Sequence, residues 1–129
     1  MSLTVSLSVF FGNRYDGLPD RDLDQIDAFW THCETHGLTG WKGKVTPSWI
    51  VPEHYPDAAV RRAHAKAHDL WHAHVGIPVW KPSKNPSATY KVSDWVLHFT
   101  YNQSAGHVKL VDYGDHDYPF ELPGVDKLV

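Results

Sequence analysis

The stretch KVSDWVLHFTYNQSAGHVKLVDY, residues 91 to 113, decides the fold. Trp95, Leu97, Phe99 and Tyr101 alternate with Asp94, Val96, His98 and Thr100, the period of two that places one set on each face of a strand. His107 to Tyr113 repeats the pattern, and the short polar segment NQSAG between the two runs, with Gly106, has the length and composition of a hairpin loop. An antiparallel hairpin is therefore predicted near the C-terminus, with its aromatic side turned to the core and His98 turned away from it.

Working outward, LTVSLSVFF at residues 3 to 11 alternates in the same way and is expected to be another half-buried strand. The loop GNRYDGLPD follows, with Asp20 or Asp22 placed to cap a helix. Leu23, Ile26, Phe29, Trp30 and Cys33 then recur at helical spacing up to His36, and Gly37 supplies a left-handed stop. Residues 37 to 56, rich in Gly, Pro and Trp, read as an ordered loop. Residues 57 to 70 form an alanine-rich helical candidate whose end the sequence leaves open, and LWHAHV at 70 to 75 reads as a strand rather than its continuation. Residues 76 to 89 hold three prolines and read as an exposed loop or edge. The sum is one α/β (α+β) domain over residues 1–129, a small mostly antiparallel sheet packed against one or two helices.

Composition narrows the class. The chain has 129 residues, enough for one core, and is 42% hydrophobic. Twelve Lys and Arg against 15 Asp and Glu leave a net charge of −3, so any surface for nucleic acid must be local. No apolar run is long enough to span a membrane, and the opening residues lack the basic start of a secretory signal, so the expected location is cytoplasmic. The single cysteine, Cys33, excludes an intramolecular disulfide and reads as a core residue. Neither a phosphate-binding Gly-x4-Gly-Lys loop nor a Gly-x-Ser-x-Gly elbow is present.

Ten histidines are the unusual number, and they direct the search for chemistry. His64, His68 and His72 are spaced i, i+4, i+8; on a continuous helix two of them plus a third ligand would suit zinc. On a strand, His72 and His74 instead share a face and form a metal-free acid/base pair. His116 lies beyond the last strand between Asp115 and Asp117, where a loop carries function. Arg61, Arg62 and Lys66 precede the His72–His74 pair and offer local positive charge.

The segments DAFWTHCETHGL, RRAHAKAHDLWHAHVGIPVW and YKVSDWVLHFTYNQSAGHVKLVDYGDHDYPF, taken in order, resemble the YafO-like toxins of bacterial toxin–antitoxin pairs, over roughly residues 27 to 120. The matching points are Phe29, Gly37-Leu38, His72-Ala73-His74, Tyr90 with Ser93 and Asp94, and His116. The resemblance implies a RelE-like fold and a ribosome-dependent endoribonuclease, or mRNA interferase, restrained by a cognate antitoxin and needing no cofactor. It implies His72, His74 and His116 as catalytic residues, with Arg61, Arg62, Lys66 and Lys91 on phosphate and Tyr90 or Trp80 stacking on bases. Two alternatives stand beside it: a zinc-dependent hydrolase built on His64, His68, His72 and His74, and a non-enzymatic interaction module whose tryptophans make the contact surface.

Overall fold

A computed structural model describes residues 2–116 and 121–129. Five strands form the main sheet: β1 (Thr4–Leu7), β2 (Val45–Pro47), β3 (Leu70–Ile77), β6 (Trp95–Asn102) and β7 (His107–Asp115). Their spatial order is β1-β7-β6-β3-β2, with β1 parallel to β7 and the remaining pairs antiparallel. A short ribbon of β4 (Lys81–Pro82) and β5 (Lys91–Val92) stands beside it. Three helices complete the fold: α1 (Val9–Tyr15), α2 (Asp20–His36) and α3 (Ala58–Ala67). The architecture is α+β with a mixed, mostly antiparallel sheet. Among the described residues no helix is long and apolar enough to cross a membrane.

The hairpin forms where its alternation places it. Leu97, Phe99, Val108 and Leu110 join Ala73 and Val75 of β3 on one face, against Ile26, Phe29 and Cys33 of α2. Phe29 is fully buried, with ring centroids 5.2 Å from Trp41 and 5.5 Å from Phe99. Gly37 ends α2 at φ 72°, as a left-handed stop requires. Cys33 lies in this core, and burial pushes its thiol up to about 12.

Several local readings are corrected. The first strand stops at Leu7, because the Ser8 hydroxyl accepts the Phe11 N–H at 3.1 Å and caps a helix that takes in residues 9 to 15. Period-two alternation cannot detect such a cap. Pro19, not Asp20 or Asp22, precedes α2, and the Asp22 carboxylate accepts the Tyr113 hydroxyl at 2.8 Å. The supposed loop from 37 to 56 contains β2, and the first hairpin strand is divided into β5 and β6 at Ser93-Asp94. Helix α3 gives way to β3 because Asp69 adopts φ 52°, a conformation no continuing helix tolerates. That turn frees residues 70 to 77 for the sheet.

The second face of the sheet is covered as well. His64 Nε2 of α3 lies 2.7 Å from the Pro123 carbonyl, joining the helix to the C-terminal segment. Lys109 donates to the Leu128 carbonyl at 2.9 Å, and Lys127 donates to Asp112 at 3.0 Å. Every residue of β3 after Trp71 is consequently buried.

Phe29→Ala removes the ring on which Trp41 and Phe99 converge and is expected to cost about 3–5 kcal/mol. Urea denaturation followed by circular dichroism checks this; a loss under about 1 kcal/mol would show that the core does not pivot on Phe29.

Candidate active site

The second face carries the histidines. Strand pairing puts Thr46, His72, His98 and Asp112 in one cross-strand row, with His74 two residues further along β3. His72, His74 and His98 are 5%, 4% and 4% exposed. His116 follows β7, and its backbone N–H donates to the Asp94 carbonyl at 2.8 Å, which fixes it against the start of β6. Its ring centroid lies 5.4 Å from that of His72 and 5.0 Å from that of His74. His72 is 6.2 Å from His98 and 6.4 Å from His74.

Loop residues hold the rings in place. The Ser48 hydroxyl lies 2.8 Å from His72 Nδ1. His74 Nδ1 sits 2.9 Å from both the N–H and the carbonyl of Ser93. A neutral ring accepting that N–H carries its proton on Nε2, and a protonated ring donates to the carbonyl instead. Ser93 is itself fixed, its hydroxyl donating to the Trp95 carbonyl at 2.8 Å and accepting the Gly76 N–H at 3.1 Å.

Burial dominates the electrostatics. It holds His72 well below the ordinary histidine range, and repulsion from His98, His116, His74 and Lys44 acts in the same direction. His74 is lowered to about 4, first by burial and then by His116, against the opposing Ser93 hydrogen bond. Burial also takes His98 to about 4, although the Asp112 charge pulls upward. Asp112 is shared between Arg14 and Lys127. At neutral pH all three buried imidazoles are uncharged.

Two clefts open onto the cluster. The larger, about 670 Å³, contains His74, Ser93, Tyr90, Lys81 and Lys84. The smaller, about 350 Å³, contains His72, Ser48, Thr46, Tyr55 and Arg61. Lys44 and His116 line both, so they mark where the clefts meet. Lys44 Nζ lies 5.6 Å from the centre of the Tyr90 ring.

The structure thus brings together His72, His74 and His116, with Arg61 and Tyr90 on the cleft walls. It does not bring Arg62, Lys66, Lys91 or Trp80 to the lining of either cleft. Arg62 donates to the Val51 carbonyl at 2.7 Å and to Glu53 at 2.9 Å. Lys66 is exposed on α3 and Lys91 is exposed on β5. Trp80 is a packing residue: a Cβ at Gly43 would fall 2.7 Å from its indole and one at Gly76 2.5 Å. The set His64, His68 and His72 is not assembled, since the first two pair on α3 at 4.9 Å while His72 faces His74, His98 and His116. Among the described residues no group of three or more His, Cys, Asp or Glu is arranged to hold a metal ion. Asp117, the expected partner of His116, lies outside the described residues.

Sequence reasoning gave no role to Lys44, Lys81, Lys84 or Ser48, and it named His98 and Ser93 without assigning either to the site. His98 was legible as facing away from α2, but alternation does not reveal that α3 and the C-terminal segment cover that face. Lys44, Lys84 and the serines sit in loops and Lys81 in the two-residue strand β4, where no periodic signal exists. No protein-family model, curated protein or solved structure matches the chain.

The lowered histidines make stability depend on pH. In the unfolded chain His98 titrates near 6.5, and in the folded chain near 4. Its contribution is therefore complete above 6.5 and is lost as pH falls from 6.5 toward 4, because the unfolded state takes up the proton first. Urea midpoints of the wild type and His98→Asn are expected to converge across that window. A gap that stays constant or widens on acidification would show that His98 is not held neutral by the fold.

Proposed function

We propose that the chain is a toxin-type endoribonuclease of the cytoplasm, cutting translated mRNA without a metal by attack of a 2′-hydroxyl on the adjacent phosphate. The observation that carries this reading is the placement of neutral His72 and His74 on either side of His116 and Lys44, where two clefts meet. The resemblance to YafO-like toxins supplies the rest of the reading: message on the ribosome as substrate, and a cognate antitoxin as partner.

The chemistry needs one proton acceptor, one proton donor and a cation at the phosphate. A neutral imidazole takes the 2′-hydroxyl proton as the 2′-oxygen bonds to phosphorus; this falls to His72, with Nδ1–H donated to the Ser48 hydroxyl, because the Nε2–H tautomer of His74 has its Nδ1 lone pair on the Ser93 N–H. Lys44, at the junction, balances the charge that accumulates on the phosphoryl oxygens. The bond from phosphorus to the 5′-oxygen breaks, and protonated His116 gives its proton to that leaving oxygen. The products are a 2′,3′-cyclic phosphate and a 5′-hydroxyl, with no redox change and no water consumed. Lys84 adds positive charge along the larger cleft, where Lys81 is paired with Asp94 at 2.7 Å, and this suits a polyanionic backbone despite the net negative chain.

Primer extension on a defined message from induced cells tests the proposal. Wild type is expected to generate new ends inside the translated region, and none when translation is blocked. His116→Ala is expected to lower cleavage about 100-fold or more while leaving the fold intact, since His116 is only half-buried. Chelator is expected to leave the rate unchanged. Intact message with wild type, or equal cleavage by the variant, would contradict the assignment; loss of activity to chelator would favour zinc chemistry.

A further inference from the structure

The smaller cleft has a character that proton transfer does not require. Ile50, Val51, Pro52 and Leu122 give it aliphatic walls, and its volume of about 350 Å³ falls at the lower end of small-ligand sites. Ile50 is 68% exposed, so this wall is not part of the core. Tyr55 adds a flat aromatic ring whose centre lies 5.7 Å from the Arg61 guanidinium carbon. The lining is that of a slot for a planar ligand.

Arg61 donates to the Pro56 carbonyl at 3.0 Å and Lys44 and His116 stand at the junction, so the inner polar groups of the slot are the Thr46 and Ser48 hydroxyls beside His72. The Ser48 hydroxyl is engaged by His72 at 2.8 Å. Thr46 stands directly across from His72 in the β2–β3 pairing and lines the same cleft. Its Oγ1 makes a 3.5 Å contact with the Pro47 carbonyl, at the limit of hydrogen-bonding distance, so it retains most of its capacity to pair with a ligand. A planar group with polar edges, seated among aliphatic and aromatic side chains and met by one hydroxyl, has the chemistry of a nucleobase.

We infer that the smaller cleft is a nucleobase subsite, taking an unpaired base next to the scissile phosphate, and that Thr46 is its specificity-determining residue. The inference rests on the ribonuclease reading for the position of the phosphate. With that phosphate at Lys44 and His116, one neighbouring nucleoside enters the His72 side and the other follows the lysines of the larger cleft. A base held in a duplex cannot enter such a slot, so the substrate is single-stranded at the cut.

Titration of the full-length, isotopically labelled chain with each of the four nucleoside 3′-monophosphates tests this by nuclear magnetic resonance. Shifts are expected at Thr46 and Tyr55 with nucleotides and not with inorganic phosphate or ribose 5-phosphate. Affinities for the best and worst base are expected to differ about tenfold, or about 1.4 kcal/mol. Thr46→Val, which removes the hydroxyl at nearly constant shape, is expected to bring the spread below about threefold, and Thr46→Ser to restore it. Equal affinity for all four nucleotides, or shifts confined to the Lys81–Lys84 side, would overturn the subsite even if the chain cuts RNA. Base discrimination through Thr46 in a chain that cuts no RNA would sustain the subsite and overturn the cleavage reading instead.

Discussion

Three imidazoles buried side by side on one sheet face cannot all carry charge, and the second half of the molecule is organised around that constraint. His72, His74 and His98 lie too close together and too far from water for imidazolium to be tolerated. Each needs fixed neighbours, and the fold supplies Ser48 and Ser93 from two connections and Asp112 from strand β7. A cluster held in this way is unprotonated at neutral pH, and each ring takes up a proton less readily than an ordinary histidine. The only histidine of the group that reaches the surface layer, His116, is also the one common to both clefts.

The covering of that face follows from details of chain direction. Asp69 turns the chain out of α3, so the His72–His74 pair enters the sheet instead of lining a helix. The C-terminal segment then crosses the same face, tied by Lys109 and Lys127 to β7 and by Pro123 to α3. The Val129 carbonyl accepts the Val9 N–H at 2.6 Å, which ties the C-terminal segment to the start of α1. The histidine layer is thereby sealed except where the two clefts reach it.

Much of the fold was legible because it rests on periodic burial. Helix α2, the β6–β7 hairpin and the strand at 70 to 75 all bury one stripe against a single core, and the spacing of Ile26, Phe29 and Cys33 or of Leu97 and Phe99 announces it. Helix α1 was not legible, since its start depends on one capping hydroxyl inside a run that alternates like a strand. For the site, His72 and His74 were found because two residues of spacing set their common side. His98 has the same spacing signal but needed knowledge of what lies above the sheet. Trp80 misled for the converse reason: an aromatic in a proline-rich loop resembles a stacking platform, yet Gly43 and Gly76 leave room for it to pack inward. Lys44 gives no signal in the sequence and stands beside the histidines only because the two clefts meet there.

The central claim is that the fold holds the histidine cluster neutral. Imidazole nitrogen shifts measured by nuclear magnetic resonance across a pH titration test it most directly. The account predicts neutral-ring shifts for His72, His74 and His98 from pH 7 down to about pH 5, with the Nε2–H tautomer at His74. Titration of these rings near 6.5, the value of an unperturbed histidine, would contradict it.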